Sequence, residues 1–374
     1  MRTWRMAIAT ALSASVLAAC GGNGGALPAA PGDVADRTGD ETAGNRGELS
    51  GALVGAGATF PTPVFQDWIL AYGESVQPGA SINYQSIGSG GGIEQFIGQT
   101  VDFGSSERFL DDDGVAEAAA ARGCDPLQVP VLFGAVTIAY NAAVGLEGLV
   151  LDAATISGIF RREITRWDDP AIAEINPGLD LPDTDIIPVH RSDGSGTTSV
   201  FTTWLQDEDP AWAEELGSGT EVNWPAGTIG GQGNEGVTAG IEQNPGGIGY
   251  VNQAYALEND LPTAAVVNAD GNPIEPTLDA TTAAVEGIDV PDDFRFHILG
   301  VGDDGYPITG TNWVFAWECG YDAGTAALLR DFWTWATQTA QADELAVELG
   351  YAPLGESLKP RVLETIERIN AEDE

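Results

Sequence analysis

The sequence predicts an α/β protein in which strands and helices alternate along the chain around a mostly parallel sheet. Three observations carry that prediction. Strand-like runs alternate with stretches of helical apolar spacing throughout. The run from Val129 to Tyr140 is long and apolar, as a strand buried on both faces should be. Three Gly/Ser/Thr-rich segments, 55–61, 87–92 and 191–198, each stand where a helix should begin. A length of 374 residues allows about two domains.

Folded sequence is expected from near Leu49. Pro63 opens a helix whose Phe65, Trp68, Ile69 and Tyr72 share one face. Ala80 to Ser86 reads as a strand, and Ile93, Phe96 and Ile97 mark a helix behind the second glycine segment. Val101-Asp102-Phe103-Gly104 reads as a short buried strand running into Ser105-Ser106-Glu107-Arg108. After the 129–140 strand, a helical stretch runs from Ile156 to near Trp167-Asp168-Asp169-Pro170. Ile186 to His190 is a strand entering the third glycine segment, and Ser199, Phe201, Thr202, Trp204 and Leu205 continue the helix behind it. Gly247 to Val251 and Trp313 to Trp317 are further strands. The C-terminal third is helical, from about Gly324 to Thr339 and from Pro360 to Ile369.

The three glycine segments matter chemically. A helix start presents unpaired N–H groups and the positive end of its dipole. Hydroxyls add donors, and glycines let an anion approach closely. Three such starts that converge would cage a small oxyanion. The rest of the chain is strongly anionic, with a formal charge of −41 from 15 basic and 56 acidic residues. Lys359 is the single lysine. That balance argues against nucleic acid and against anionic lipid as partners. It points to saline surroundings, where screening relieves self-repulsion; a merely acidic secreted protein is the other reading. Hydrophobic residues at 43% exclude a disordered acidic polymer.

The N-terminus reads as a targeting signal. Arg2 and Arg5 precede a short apolar core, Met6 to Leu17, which is too short to span a membrane. It ends in Leu17-Ala18-Ala19-Cys20, which resembles a bacterial lipoprotein signal and implies lipidation of Cys20. An ordinary secretory signal is the alternative. Residues 21–50 are rich in Gly, Ala, Asp and Pro and read as a flexible tether. Export places the chain where disulfides persist. Cys124 and Cys319 then remain as an even pair, which favours a bridge over two buried thiols.

Several chemistries lack their residues. There is no HExxH, paired CxxC or EF-hand loop, so neither a metal nor another cofactor is expected. There is no GxSxG elbow, although Ser195 lies in a Gly-Ser-Gly turn five residues from His190. A nucleophilic Ser195 would need a base and an orienting group that nothing else supplies. Gly231, Gly233 and Gly236 fit GxGxxG, but with no clear strand before them a helix-start turn is the better reading.

Taken in order, the three glycine segments together with Trp167-Asp168-Asp169-Pro170, Gly233-Asn234-Glu235-Gly236-Val237 and Gly247-Ile248-Gly249-Tyr250-Val251 resemble the phosphate-binding proteins of bacterial phosphate ABC importers. The similarity runs from about Ala52 to the last helix. It implies a two-lobed periplasmic-binding-protein fold of type II, each lobe a mixed, mostly parallel sheet flanked by helices, with a ligand cleft between lobes. On that pattern residues 1–20 are signal, 21–50 tether, 51–138 and 252–374 lobe I, and 139–251 lobe II. Ligand contacts carry over to Thr59 and Phe60, Ser89, Glu107, Arg191, Ser195, Gly196 and Thr197, with Asp193 orienting Arg191.

The resemblance implies a monomeric, non-enzymatic carrier of inorganic phosphate. It would be lipid-anchored at the periplasmic or cell surface, would serve ABC permease subunits and would touch the membrane through its anchor alone. A secreted phosphatase using Ser195 with His190, or a carrier of arsenate or sulfate, are the alternatives. Two positions depart from the family. Glu107 stands where aspartate is typical, which adds about 1.5 Å of reach, and Gly90 stands where a second serine is common.

Overall fold

In the computed structural model, residues 47–370 are described. The expected signal, the lipid attachment at Cys20 and all but the end of the expected tether lie outside them. Among the described residues the first element is a strand not separately expected from the sequence, β1 (Ser50–Gly57), followed by α1 (Thr62–Ala71), β2 (Gly79–Ser86), α2 (Ser89–Ile97) and β3 (Phe103–Ser106). Then come α3 (Asp112–Arg122), β4 (Pro126–Tyr140), β5 (Val150–Leu151), α4 (Ala153–Phe160) and α5 (Pro170–Ile175). The next stretch holds β6 (Ile187–Arg191), α6 (Gly196–Glu208), α7 (Pro210–Glu215), β7 (Ile229–Gly231), α8 (Gly233–Gln243), β8 (Gly247–Asn252) and α9 (Gln253–Glu258). After β9 (Ala265–Val267), β10 (Pro273–Ile274) and α10 (Leu278–Val285), strand β11 (Thr309–Trp317) leads into α11 (Ala323–Gln338), α12 (Ala340–Glu348) and α13 (Lys359–Glu367).

Eight strands form one mixed sheet in the order β2-β1-β3-β11-β4-β8-β6-β7. Its two wings are parallel: β1 pairs with β2 and β3, and β6 pairs with β7 and β8. The centre is antiparallel. Strand β4 was expected to be buried, and it is, but both its partners, β11 and β8, run against it. Its residues 126–135 pair with β11 and 136–140 with β8, so one strand serves both wings.

Strand β4 also carries Pro130. A proline cannot donate to a ladder and is tolerated in a central strand only at a bulge. The register shifts at that point: Asn312 faces Leu132 and Trp313 faces Pro130, leaving Val131 as the extra residue.

Other boundaries move for local reasons. Helix α4 stops at Phe160 and does not reach Trp167; Asp169 instead caps α5 through the Ala171 N–H. Residues Val101 and Asp102 precede β3 and do not belong to it, the Asp102 carboxylate accepting from the Val54 N–H at 2.7 Å. A short strand, β7, does precede the Gly231–Gly236 segment, which opens α8 as expected. Thr339 ends α11, as expected, and caps a further helix not expected from the sequence, α12, through the Ala342 N–H. Cys124 and Cys319 are disulfide-bonded just beyond the last rung of the β4–β11 ladder, Pro126 with Trp317.

Candidate anion-binding site

All three glycine segments end at helix starts, and the fold brings them together. The first leaves β1 through Gly57, whose φ of +150° suits glycine and where a Cβ would fall 2.0 Å from the Ser105 carbonyl oxygen. It enters α1, which has no side-chain cap. Three tyrosine hydroxyls donate to the carbonyls of this turn in succession: Tyr84 to that of Ala58 (2.7 Å), Tyr255 to that of Thr59 (2.6 Å) and Tyr351 to that of Phe60 (2.6 Å). In a trans peptide the carbonyl and the following N–H point to opposite sides. Fixing the Thr59 carbonyl on Tyr255 therefore turns the Phe60 N–H the other way.

The second segment enters α2 at Ser89, also without a side-chain cap. The third enters α6 with Ser195 as N-cap, its Oγ accepting from the Thr198 N–H at 3.0 Å. The segments touch directly. The Gly90 N–H donates to the Gly194 carbonyl at 2.9 Å. A side chain at Gly90 would press on the Gly194 Cα at 3.2 Å, so a second serine would crowd this contact. Asn234, at the start of α8, donates from N and Nδ2 to Thr59 Oγ1 (3.1 and 2.7 Å) and from Nδ2 to Thr197 Oγ1 (3.3 Å). At Gly196 a Cβ would fall 2.5 Å from Ser89 Oγ and 2.3 Å from Glu107 Oε2. Thr59, Phe60, Ser89, Glu107, Arg191, Ser195 and Thr197 are all buried, as is Gly196.

Arg191 is the one cation in this cluster. Its Nε and Nη2 donate to the two Asp193 oxygens (2.8 and 2.5 Å), the pairing expected from sequence, and its Nη1 reaches Thr197 Oγ1 at 3.4 Å. Burial pushes the Asp193 carboxyl up, but the Arg191 bonds and the Gly233 N–H outweigh it and hold the group below its ordinary value. Glu107 is the opposite case. Burial raises its carboxyl to about 7, and the Asn312 amide, the Arg191 charge and the Ser89 hydroxyl only partly oppose that. The arrangement offers helix-start donors, hydroxyls and one guanidinium to an anion, plus one carboxyl that can accept a proton the anion carries.

Ser195 and His190 are not joined by a hydrogen bond among the described residues. Ser195 Oγ serves Thr198, while His190 Nδ1 lies 2.7 Å from the Arg191 carbonyl and its ring stacks on Trp224. Two further participants, Asn234 and Asn312, were not among the residues expected from sequence. Asn234 lies within the 233–237 motif, where its place at a helix start was a signal. Asn312 and the three tyrosines carried no local signal, because each arrives from a distant element.

Residues 37–339 match the PBP superfamily domain. The phosphate-binding protein PstS of Xylella fastidiosa (strain 9a5c) is 39% identical over 314 residues, covering 83% of each chain. The chain belongs to the PstS phosphate-binding protein family. Among solved structures, a high-affinity periplasmic phosphate-binding protein bound with phosphate superposes with TM-score 0.69 at 23% identity, covering 84% of this chain and 92% of its own. The phosphate-binding protein of Stenotrophomonas maltophilia gives TM-score 0.65 at 20% identity, covering 84% and 94%. Members of the PstS family share the two-lobed α/β architecture, and β4 is the strand of this chain that passes from one wing of the sheet to the other.

Proposed function

We propose that this chain binds inorganic phosphate outside the cytoplasmic membrane and delivers it to the permease of an ABC importer. The observation that carries the reading is the convergence of three helix starts on Arg191 with an acceptor carboxyl, Glu107, facing the same point. Relatives named as phosphate-binding proteins support it. The hydrogen phosphate dianion would take N–H and hydroxyl donors from residues 59–60, 89 and 195–197 and charge from Arg191. Its remaining proton would go to Glu107. Sulfate has no such proton, so a carboxylate facing it would be repelled.

In this reading residues 51–138 with 252–374 form one lobe and 139–251 the other, close to the place where β4 changes partner between Ala135 and Val136. The protein acts as a monomeric carrier without catalysis. It is held to the membrane by lipid at Cys20, with an acidic surface suited to salt. Nothing in the site favours a hydrolase, since Ser195 has no base bonded to it.

Calorimetric titration tests the proposal. One phosphate per chain is expected, with sulfate much weaker and no turnover of a phosphate ester. Arg191→Ala removes the buried counter-charge and should cost at least roughly 2–3 kcal/mol of phosphate binding. Unchanged affinity in that variant would show the site to be elsewhere.

A further inference from the structure

We propose that Asn312 is a specificity-determining residue: by donating to Oε1 of Glu107 it keeps this carboxyl an acceptor and leaves Oε2 toward the ligand, so that a protonated oxyanion is admitted and an unprotonated one refused. The inference rests on Glu107 as the acceptor of the phosphate proton and adds the residue that enforces that role.

The β-sheet sets up the contact. Strand β11 pairs with β3 through Trp313 opposite Ser106, so Asn312 stands one rung further on, opposite Glu107. The bulge on β4 falls between Asn312 and Trp313, and bulges re-aim the side chains beside them. Asn312 is fully buried and Glu107 nearly so. Asn312 Nδ2 lies 2.7 Å from Glu107 Oε1. The amide is itself held by Ser105, whose Oγ is 3.0 Å from Nδ2 and 3.2 Å from Oδ1. Glu107 Oε2 lies on the other side, 3.3 Å from Ser89 Oγ and against Gly196.

A glutamate has one more rotatable bond than an aspartate, so its carboxyl needs an anchor that the shorter side chain does not. An N–H donor is an anchor of definite sign: it binds the charged carboxylate and opposes its protonation. The other titratable groups around this carboxyl are Arg191 from β6, Tyr84 from β2 and Tyr351 after α12. His297 lines the same small crevice as Glu107. Of these only Arg191 also favours the carboxylate, and it is shared with Asp193.

The test is the ratio of phosphate to sulfate affinity, measured by calorimetry as a function of pH. Asn312→Asp keeps the shape but puts an acid 2.7 Å from Glu107. Two carboxyls at that separation share a proton at neutral pH, so Glu107 ceases to be a pure acceptor. The ratio at neutral pH should fall about ten-fold or more, and the pH at which it falls to half its plateau should rise by about one unit or more. Asn312→Leu removes the donor without adding an acid and should move both readouts in the same direction, which covers a failure of the aspartate variant to fold. In a Glu107→Gln background either substitution should leave the ratio unmoved. If Asn312→Asp and Asn312→Leu weaken phosphate and sulfate by the same factor with an unmoved pH midpoint, Asn312 only supports packing and the proposal is overturned. If Glu107→Gln alone leaves the ratio unchanged, the role assigned to Glu107 fails, and this inference with it.

Discussion

Glu107 concentrates the chemistry of this chain in one carboxyl. Burial lifts it to about 7 because a charged group loses more hydration than its Asn312, Arg191 and Ser89 partners return. That has a stability consequence in the ligand-free protein. An unfolded glutamate titrates near its ordinary value of 4.5. Between that value and about 7 the folded state binds more protons than the unfolded one, so stability falls as pH rises. The loss is complete above about pH 7. It amounts to roughly 3 kcal/mol, because each pH unit between the unfolded and folded values is worth about 1.4 kcal/mol. Glu107→Gln has no such proton to lose. Urea unfolding from pH 5 to 8 should show wild type losing stability relative to Glu107→Gln as pH climbs, and a flat difference would contradict the burial argument. Arg191 illustrates the complementary rule: a buried cation is kept by a hydrogen-bonded partner, Asp193, whose own N–H donor is Gly233.

Among the helices, side-chain capping is general in the scaffold and missing at two of the three glycine-segment starts. Helices α3, α4, α5, α7, α9, α10, α11 and α12 all take an Asp, Asn or Thr side chain on their first N–H groups. Helices α1, α2 and α8, which start at the candidate site, have no such cap, and neither has α13 elsewhere; α6, also at the site, is capped by Ser195. A side-chain cap occupies donors that an anion could use, and at α6 Ser195 Oγ takes the Thr198 N–H. The strands carry the other device of this scale, the Cys124–Cys319 bridge that closes the open end of the β4–β11 ladder. Thiol titration of the unfolded, unreduced chain lacking residues 1–20 should find no free thiol. Replacing both cysteines by serine should cost about 2–5 kcal/mol of stability while leaving phosphate stoichiometry at one. Two titratable thiols would refute the pairing in solution.

At the scale of the whole molecule, charge and ligand have the same sign. A chain of −41 repels a phosphate dianion at long range, however favourable its cleft. Such repulsion acts mainly on association and fades with ionic strength. Raising salt from about 10 mM to 1 M shortens the Debye length from roughly 30 Å to 3 Å. The association rate for phosphate should therefore rise with salt, against the usual trend for anion binding. The dissociation rate should change less, because buried hydrogen bonds are little screened. Stopped-flow tryptophan fluorescence reads both rates, and circular dichroism at low salt confirms that the protein is folded there. An association rate that falls with salt would mean that local positive potential at the cleft outweighs the net charge.

Much of this architecture could be read from residues near one another in sequence. Helical apolar spacing marked α1, α2, α6 and α11, and glycine with hydroxyl residues marked the three helix starts of the candidate site, because capping and backbone conformation are local physics. The pairing of Arg191 with Asp193 was readable for the same reason, the two being close together on one turn. The direction of strand pairing was not. A run buried on both faces looks the same whether its neighbours are parallel or antiparallel, so β4 could be placed in the core without its partners. Pro130 required a bulge only once β4 was known to be central, and the bulge in turn aimed Asn312. Asn234, Asn312 and the three tyrosines come from the start of α8, from β11, from β2, from α9 and from the turn after α12. Their roles depend on contacts between elements far apart in sequence, which no local periodicity encodes and only the packed chain brings within hydrogen-bond reach.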